Sequence, residues 1–343
     1  MLNKKWWVLS DIDTDVGKIP RISTRLNKKD RLGHLKVRIG ILRMRYLIPP
    51  GLYGIGNPKS DSPILVTANY KLSFDKLRME LDGMNVWILV LDTKGINVWC
   101  AAGKGTFGTD ELVERITAVN LDKIVSHKKL ILPQLGAPGV AAHIVTKRIG
   151  FKVFYGPVLA KDVRGYIQAG NRATPQMRTV MFPLRDRLLL TPVEITGILK
   201  PLIILTLSLL ILDLFVFDIF SFRGFLIYFG AVLVGTFFIP VLLPWIPGRA
   251  FALKGFFLGM IYTFVLNISS GHIFSPDSNW MQALIYFLTL PAISSFLAMG
   301  FTGASTFTSL SGVVREMKFA VPSIIAAAVL GIGFMIINLF VRV

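Results

Sequence analysis

Hydrophobic residues recur along this 343-residue chain with two different patterns, and the change of pattern divides it. From about residue 63, short apolar runs alternate with helical segments. Ile64-Leu65-Val66 is followed by a segment with Phe74, Leu77 and Leu81 on one helical face. Val86-Trp87-Ile88-Leu89-Val90-Leu91 then leads to a helix opened by Thr109-Asp110-Glu111. Leu130-Ile131-Leu132 precedes a helix opened by Pro138 and running through Val140, Ile144 and Ile149. Phe151-Lys152-Val153-Phe154, a helix over 160–168 and a last strand at Val180-Met181-Phe182 complete the series. Continuous apolar strands separated by helices predict a parallel sheet covered on both faces. After Pro201 come five apolar stretches, about 200–220, 224–246, 250–268, 280–300 and 321–341, each near the ~20 residues a helical membrane span needs. Before residue 60 periodicity is slight until Leu35-Lys36-Val37-Arg38-Ile39, an alternation that reads as an edge strand or an amphipathic stretch.

Charge follows the same division. The chain is 53% hydrophobic yet carries a net charge of +18. Residues 1–197 hold 31 Lys and Arg against 16 Asp and Glu, and residues 198–343 hold 7 against 4. The expected parts are a basic N-terminal extension (1–60), a cytosolic domain (61–197) and a transmembrane domain with five helices (198–343). Residues 1–60, with 13 basic and 4 acidic residues, read as a surface held against anionic headgroups. No recognition motif accompanies that charge, so nucleic acid is not expected. Met1–Ser10 lacks the apolar core of a signal peptide, which places the domain in the cytoplasm and the chain in the cytoplasmic (inner) membrane. Arg249, Lys254, Arg315 and Lys318 then flank the spans inside, Arg223 and Arg342 outside, with the C-terminus outside. Asp213, within the first expected span, reads as a functional carboxylate or a helix–helix hydrogen bond. The six hydroxyls between Thr302 and Ser311 read as a loop meeting the soluble domain or as a plain polar loop.

Chemistry centres on the single cysteine, Cys100, which excludes an internal disulfide, an iron–sulfur cluster or a Cys-rich zinc site held by this chain alone. An isolated cysteine is ordinarily a small buried hydrophobe. Here a position near a helix start, Lys104 four residues on, and surrounding Ala and Gly mark a reactive or ligating thiol with room for a large planar ligand. Ligands of parallel sheets bind at the loops after the strand C-termini. The cysteine segment, Gln134-Leu135-Gly136-Ala137-Pro138-Gly139 and Tyr155-Gly156-Pro157 fall there and line one crevice. Gly103-Lys104-Gly105-Thr106-Phe107-Gly108 matches G-x-G-x-x-G, so a membrane-tethered dinucleotide-binding oxidoreductase is the alternative. Against it, about ten residues separate the turn from Leu91, and the acid expected further on could only be Asp122. His34, His127, His143 and His272 are too scattered for a metal site. A transporter subunit, the third reading, rests on Asp213 alone.

Asn97-Val98-Trp99-Cys100-Ala101-Ala102-Gly103-Lys104 resembles the cap-helix signature of the membrane-anchored corrinoid protein of microbial mercury methylation (the HgcA family). Val66-Thr67-Ala68-Asn69-Tyr70, Leu91-Asp92-Thr93-Lys94-Gly95 and Gln134–Gly139 resemble the corrinoid domain of the corrinoid iron–sulfur protein of acetyl-CoA synthesis. The resemblance covers roughly 60–190, and no residue of the eight-residue motif departs from it. It implies an α/β, Rossmann-like corrinoid-binding domain plus an all-α five-helix transmembrane domain. It also implies a corrinoid-dependent methyltransferase that passes a cobalt-bound methyl group to Hg(II), forming methylmercury. Cys100 becomes the lower axial cobalt ligand. The residues expected to hold the cobamide are Thr67, Asn69, Asn97, Val98, Trp99, Cys100, Ala101, Ala102, Gly103, Lys104, Gly105, Thr106, Gln134, Leu135, Gly136, Ala137, Gly139, Tyr155 and Gly156. The implied partners are a ferredoxin with two 4Fe–4S clusters and a folate-type methyl donor or its methyltransferase.

Overall fold

A computed structural model describes residues 5–215, 221–276, 278–304 and 310–341. The chain divides into two compact units, Met1–Val37 with Ile41–Met181, and Arg38–Gly40 with Phe182–Val343.

The first unit is built on a seven-stranded sheet: β1 (Val8–Thr14), β2 (Gly17–Ile22), β3 (Gly51–Ile55), β4 (Ile64–Ala68), β5 (Val86–Leu91), β6 (Lys129–Leu132) and β7 (Lys152–Tyr155). Their spatial order is β1-β2-β3-β5-β4-β6-β7. β5, β4, β6 and β7 are parallel, as the apolar runs predict. β3 runs antiparallel to β5, and the antiparallel β1–β2 hairpin continues the edge, so the sheet is mixed. The region expected to be a separate basic arm thus supplies three strands and a helix, α1 (Lys28–Arg38). Leu35–Ile39 falls at the end of that helix and beyond it, not in an edge strand. No strand forms at Val180–Phe182: Met181 is exposed, Phe182 adopts a left-handed φ of 44°, and Pro183 follows.

Period-two alternation sends the strand side chains to opposite faces. Val66, Leu89 and Leu132 pack with Leu112 and Ile116 of α4 (Thr109–Ala118) and Val145 of α6 (Ala142–Ile149). The short helices α3 (Val98–Gly103) and α5 (Leu121–Ile124) join that face. Leu65, Ile88 and Ile131 pack with Phe74 and Leu77 of α2 (Lys71–Met79) and with Val163 and Tyr166 of α7 (Val163–Gln168). Pro138 precedes α6 by a full turn, because a 3-10 turn over Gln134–Gly136 comes first.

Four charges are buried between α1 and α2. Lys71 Nζ lies 2.6 Å from Asp30 and 2.7 Å from Asp75; Arg78 lies 2.9 Å from Asp30 and 2.7 Å from Asp75. His34 adds a contact to Asp75 at 2.8 Å, and Trp6 donates to Asp30 at 2.8 Å. Burial opposes the charged form of Asp30, but hydrogen bonds from Lys71 and Trp6 outweigh it and hold the carboxyl at about 2. Burial likewise opposes the charge on Asp75, and His34, Lys71 and Arg78 together still keep its carboxyl below the usual range.

The second unit is helical: α8 (Leu184–Asp213), α9 (Phe222–Leu233), α10 (Ile239–Leu242), α11 (Phe251–Ser269), α12 (Trp280–Gly300) and α13 (Leu310–Val341). A π-helical turn, Val234–Phe238, joins α9 to α10. Among the described residues, five segments are long and apolar enough to cross a membrane: Leu184–Asp213, Phe222–Leu242, Phe251–Ser269, Trp280–Gly300 and Gly312–Asn338. The first begins well ahead of the expected 200, so Asp213 closes its helix instead of sitting within it. Of the hydroxyl-rich loop, 305–309 lies outside the described residues, while Thr302 donates to the Met299 carbonyl at 2.7 Å. Small residues let α11 and α12 touch: a Cβ on Gly255 would lie 2.6 Å from the Ser294 carbonyl. Ser294 and Ser295 hydroxyls donate to the carbonyls of Gly255 and Ala252 at 2.9 and 2.8 Å.

The Asp75→Asn variant leaves two buried cations sharing one carboxylate, at an expected cost of about 3–5 kcal/mol, measured as faster amide exchange across α2. Because folding lowers the Asp30 pKa from 3.8 to about 2, its stabilisation is complete above about pH 4 and is lost as the pH falls towards 2. Amide protection in α2 is expected to decline across that acid window.

Candidate functional site

The order β5-β4-β6-β7 places a topological switch between β4 and β6, where chain connections leave in opposite directions and a crevice opens beyond the strand C-termini. Asn69 stands there, directly after β4, and is buried. Its Oδ1 accepts from the Thr93 hydroxyl at 2.8 Å, the Gly95 N–H at 2.9 Å and the Thr93 N–H at 3.2 Å. Its Nδ2 donates to Asp92 Oδ1 at 3.1 Å. One carboxamide therefore ties the loop after β4 to the loop after β5. Lys94 and Gly95, with φ of 57° and 74°, turn that loop sharply. Asp92 loses solvation, but Lys94, 2.6 Å away, keeps its carboxyl below the usual range.

The loop delivers the chain to α3. Asn97 is its N-cap, its Oδ1 accepting the Cys100 N–H at 2.9 Å. Cys100 is a free thiol, half-buried, in the first turn. Val98 and Trp99 are also half-buried, while Ala101 and Ala102 face the core. Lys104 is exposed and closes the helix, its N–H donating to the Cys100 carbonyl at 3.1 Å. Gly105, at φ 78°, turns the chain so that the Phe107 N–H reaches the Ala101 carbonyl at 3.1 Å. Thr106 is half-buried beside it. A Cβ on Gly103 or Gly105 would meet nothing within 4 Å.

The loop after β6 packs beneath this helix. A Cβ on Gly136 would lie 2.5 Å from the Phe107 ring, and one on Gly139 would strike the Phe107 carbonyl and approach Ala102. Gln134, Leu135 and Ala137 are half-buried along the same loop, with Gln134 Oε1 accepting from Arg178 at 2.5 Å. After β7, the Tyr155 hydroxyl donates to the Val140 carbonyl at 2.5 Å, and the buried Gly156 N–H donates to the Leu132 carbonyl at 2.7 Å. Thr67 is the exception among the expected residues. It lies buried in β4 and alternates with Val66 and Ala68, which places it on the face shared with Leu65, opposite α3.

Sequence reasoning missed two supports. Glu111 accepts the Asp92 N–H at 2.7 Å while held by Arg115 at 2.8 Å, and Thr109 accepts the Ala141 N–H at 2.9 Å. The cluster Thr109-Asp110-Glu111 announces a helix start, and that is its only sequence signal. The Gly103/Gly105/Gly108 turn follows α3 rather than β5, and Asp122 lies in the helix α5 rather than at the end of a strand. Among the described residues no three His, Cys, Asp or Glu converge on a metal position. One half-buried thiol suits a different task, a single donor to a metal whose other positions a large ligand already fills, and the open flank at Gly103 and Gly105 fits such a ligand. Cavities of about 180 and 210 Å³ lie elsewhere, beside Lys59, Trp87 and Lys123 and against the β1–β2 turn.

Residues 46–166 match a family model described as CO dehydrogenase/acetyl-CoA synthase delta subunit. The acetyl-CoA decarbonylase/synthase complex subunit gamma of Archaeoglobus fulgidus is 29% identical over 123 residues, 35% of this chain and 26% of the relative. That of Methanopyrus kandleri is 34% identical over 123 residues, with the same coverage. That of Methanocaldococcus jannaschii is 36% identical over 92 residues, 26% of this chain and 19% of the relative. The chain therefore spans about a quarter or less of the length of these relatives. The matched segment contains β3–β7 and every candidate site residue, and it excludes the β1–β2 hairpin and the five long helices. Both comparisons point to the acetyl-CoA synthesis complexes that the loops after β4, β5 and β6 resemble.

Replacing Asn97 by Ala removes the cap of α3, an expected loss of about 1 kcal/mol, detected as several-fold faster alkylation of Cys100. Gly139→Ala is expected to lower the thermal midpoint clearly, because backbone blocks its Cβ, whereas Gly103→Ala is expected to leave it unchanged.

Proposed function

We propose that this chain is a corrinoid-dependent methyltransferase that passes a methyl group to Hg(II), forming methylmercury, with Cys100 as the lower axial cobalt ligand. The observation that carries the reading is the placement of the sole thiol of the chain: half-buried, on a capped helix, above the loops of the switch point. The match of residues 46–166 supports the coarser part, corrinoid-dependent methyl transfer in general. The Asn97–Lys104 motif supports the finer part, mercury.

When bound, the corrinoid supplies a cobalt centre that carries a methyl group and can release it with its bonding electron pair. Cys100 would hold the cobalt through its sulfur, and a thiolate would be a strong donor to it. Asn97 holds the turn that carries Cys100, and Asn69 holds the loop that carries Asn97. Gly103 and Gly105 leave bare backbone where a flat ring needs close approach. Trp99 and Val98, half-buried, would offer it apolar surface, and Gln134–Ala137, Gly139, Tyr155 and Gly156 would meet it from the loops after β6 and β7. Thr67 acts at most through the sheet.

Soft Hg(II) prefers thiolates, and the one thiol here is assigned, so mercury arrives on another protein. Electrons arrive from outside too, since one cysteine cannot hold an iron–sulfur cluster. A ferredoxin with two 4Fe–4S clusters suits both tasks, and a folate-type donor or its methyltransferase supplies the methyl group. The five long helices support a multi-pass membrane protein, and in this reading the α/β unit lies in the cytoplasm and the C-terminus outside the cytoplasmic membrane. Arg187 and Lys254 support that sidedness: they donate to the carbonyls of Val241 and Leu243 at the end of the second span, gathering positive charge on one side.

Purified protein is expected to show cobalt-dependent visible absorption bands. Cys100→Ala is expected to insert and fold normally but to lose mercury methylation; full methylation by correctly inserted Cys100→Ala overturns the axial role. Deleting the ferredoxin gene is expected to stop methylation in cells while corrinoid occupancy stays intact, and undiminished methylation without it overturns the partner assignment.

A further inference from the structure

The segment 28–47 presents an unusual surface. Six large apolar side chains, Leu32, Leu35, Ile41, Leu42, Met44 and Leu47, are between 42% and 62% exposed. Seven Lys and Arg are interleaved with them, and the one acid, Asp30, is buried against Lys71 and Arg78. On α1 the buried face is Asp30 and Val37, which leaves Leu32 and Leu35 on the opposite face beside Lys28 and Lys36. Past α1, Leu42 is held at φ 53°, a left-handed conformation unfavourable to leucine, while remaining 62% exposed. A core has no use for these leucines, and a surface adapted only to water would not gather them.

We infer that residues 28–47 form an interfacial element that docks on anionic lipid headgroups, with Leu35, Leu42 and Met44 entering the headgroup–acyl boundary and the cations paired with phosphate and carboxylate groups. Apolar residues interleaved with unopposed cations are the pattern of a surface lying in the membrane interface. The lipid is at hand, since the same chain carries five membrane-length helices. Arg38–Gly40, in the middle of the segment, group with the helical unit. A soluble acidic protein would satisfy the cations but leave the six apolar side chains without a reason. The inference is independent of the proposed reaction and uses none of the crevice residues.

The test uses the full chain in lipid nanodiscs, with Leu42→Cys or, separately, Met44→Cys in a Cys100→Ser background. An environment-sensitive fluorophore on the new thiol reports collisions with a phospholipid carrying a quencher near its headgroup. Emission is expected to fall about two-fold in discs containing phosphatidylserine and much less in phosphatidylcholine alone. Arg43→Glu with Arg45→Glu, or added salt, is expected to return the emission towards the phosphatidylcholine level. Absence of quenching at both positions, or equal quenching in the two lipids, overturns the inference. So does shielding of the label by an acidic ferredoxin where phosphatidylserine has no effect, which assigns the surface to a protein partner.

Discussion

The candidate site depends on how many donors one buried amide oxygen can hold. Asn69 Oδ1 receives three hydrogen bonds from the loop after β5, and each partner lies over twenty residues away in sequence. The geometry works because parallel β4 and β5 end side by side, with Ala68 opposite Leu91. Their following loops therefore start at the same height, and one side chain can bridge them. The direction in which α3 leaves the sheet follows from that bridge, and so does the position of Cys100. A buried amide stripped of these partners would carry the full penalty of unmet polar atoms, so the loop and the asparagine enforce one another.

Much of this was legible in the sequence, for reasons that differ by element. β4, β5 and β6 are short runs, apolar but for Thr67 and Lys129, which a doubly covered sheet requires, and the chain shows them plainly. The β1–β2 hairpin escaped because an edge hairpin buries few residues, and Ile12, Ile19 and Ile22 are separated by charges that read as a solvated arm. Lys71, Asp75 and Arg78 have the spacing of an ordinary exposed helix face. Nothing local reveals that Asp30 comes from another helix to close the ring and bury all four charges. Within the site, the loop Gln134–Gly139 was read only as lining the crevice, and nothing in it foretold that Gly136 and Gly139 press against Phe107, just as Glu111 and Thr109 looked like no more than a helix start.

The charged ring and the crevice are linked through a single turn of chain. Asn69 and Lys71 are separated by one residue, Tyr70, and they face different tasks. Asn69 fixes the loop that leads to α3, and Lys71 anchors α2 to α1. The N-terminal residues, although outside the segment shared with the acetyl-CoA synthesis proteins, therefore brace the same strand end from which the site is built. The helical unit follows a separate logic, with glycine and serine replacing leucine where α11 and α12 meet.

The solitary cysteine also sets how this protein would fail in air. A thiol with no second cysteine in its chain cannot retreat into an intramolecular disulfide, the usual reversible refuge of an oxidised site. Oxidation of Cys100 would have to stop at a sulfenic acid, join a thiol from another molecule, or run on to the sulfinic and sulfonic acids that most cells cannot reverse. A chain with one thiol thus leaves that thiol without a reserve.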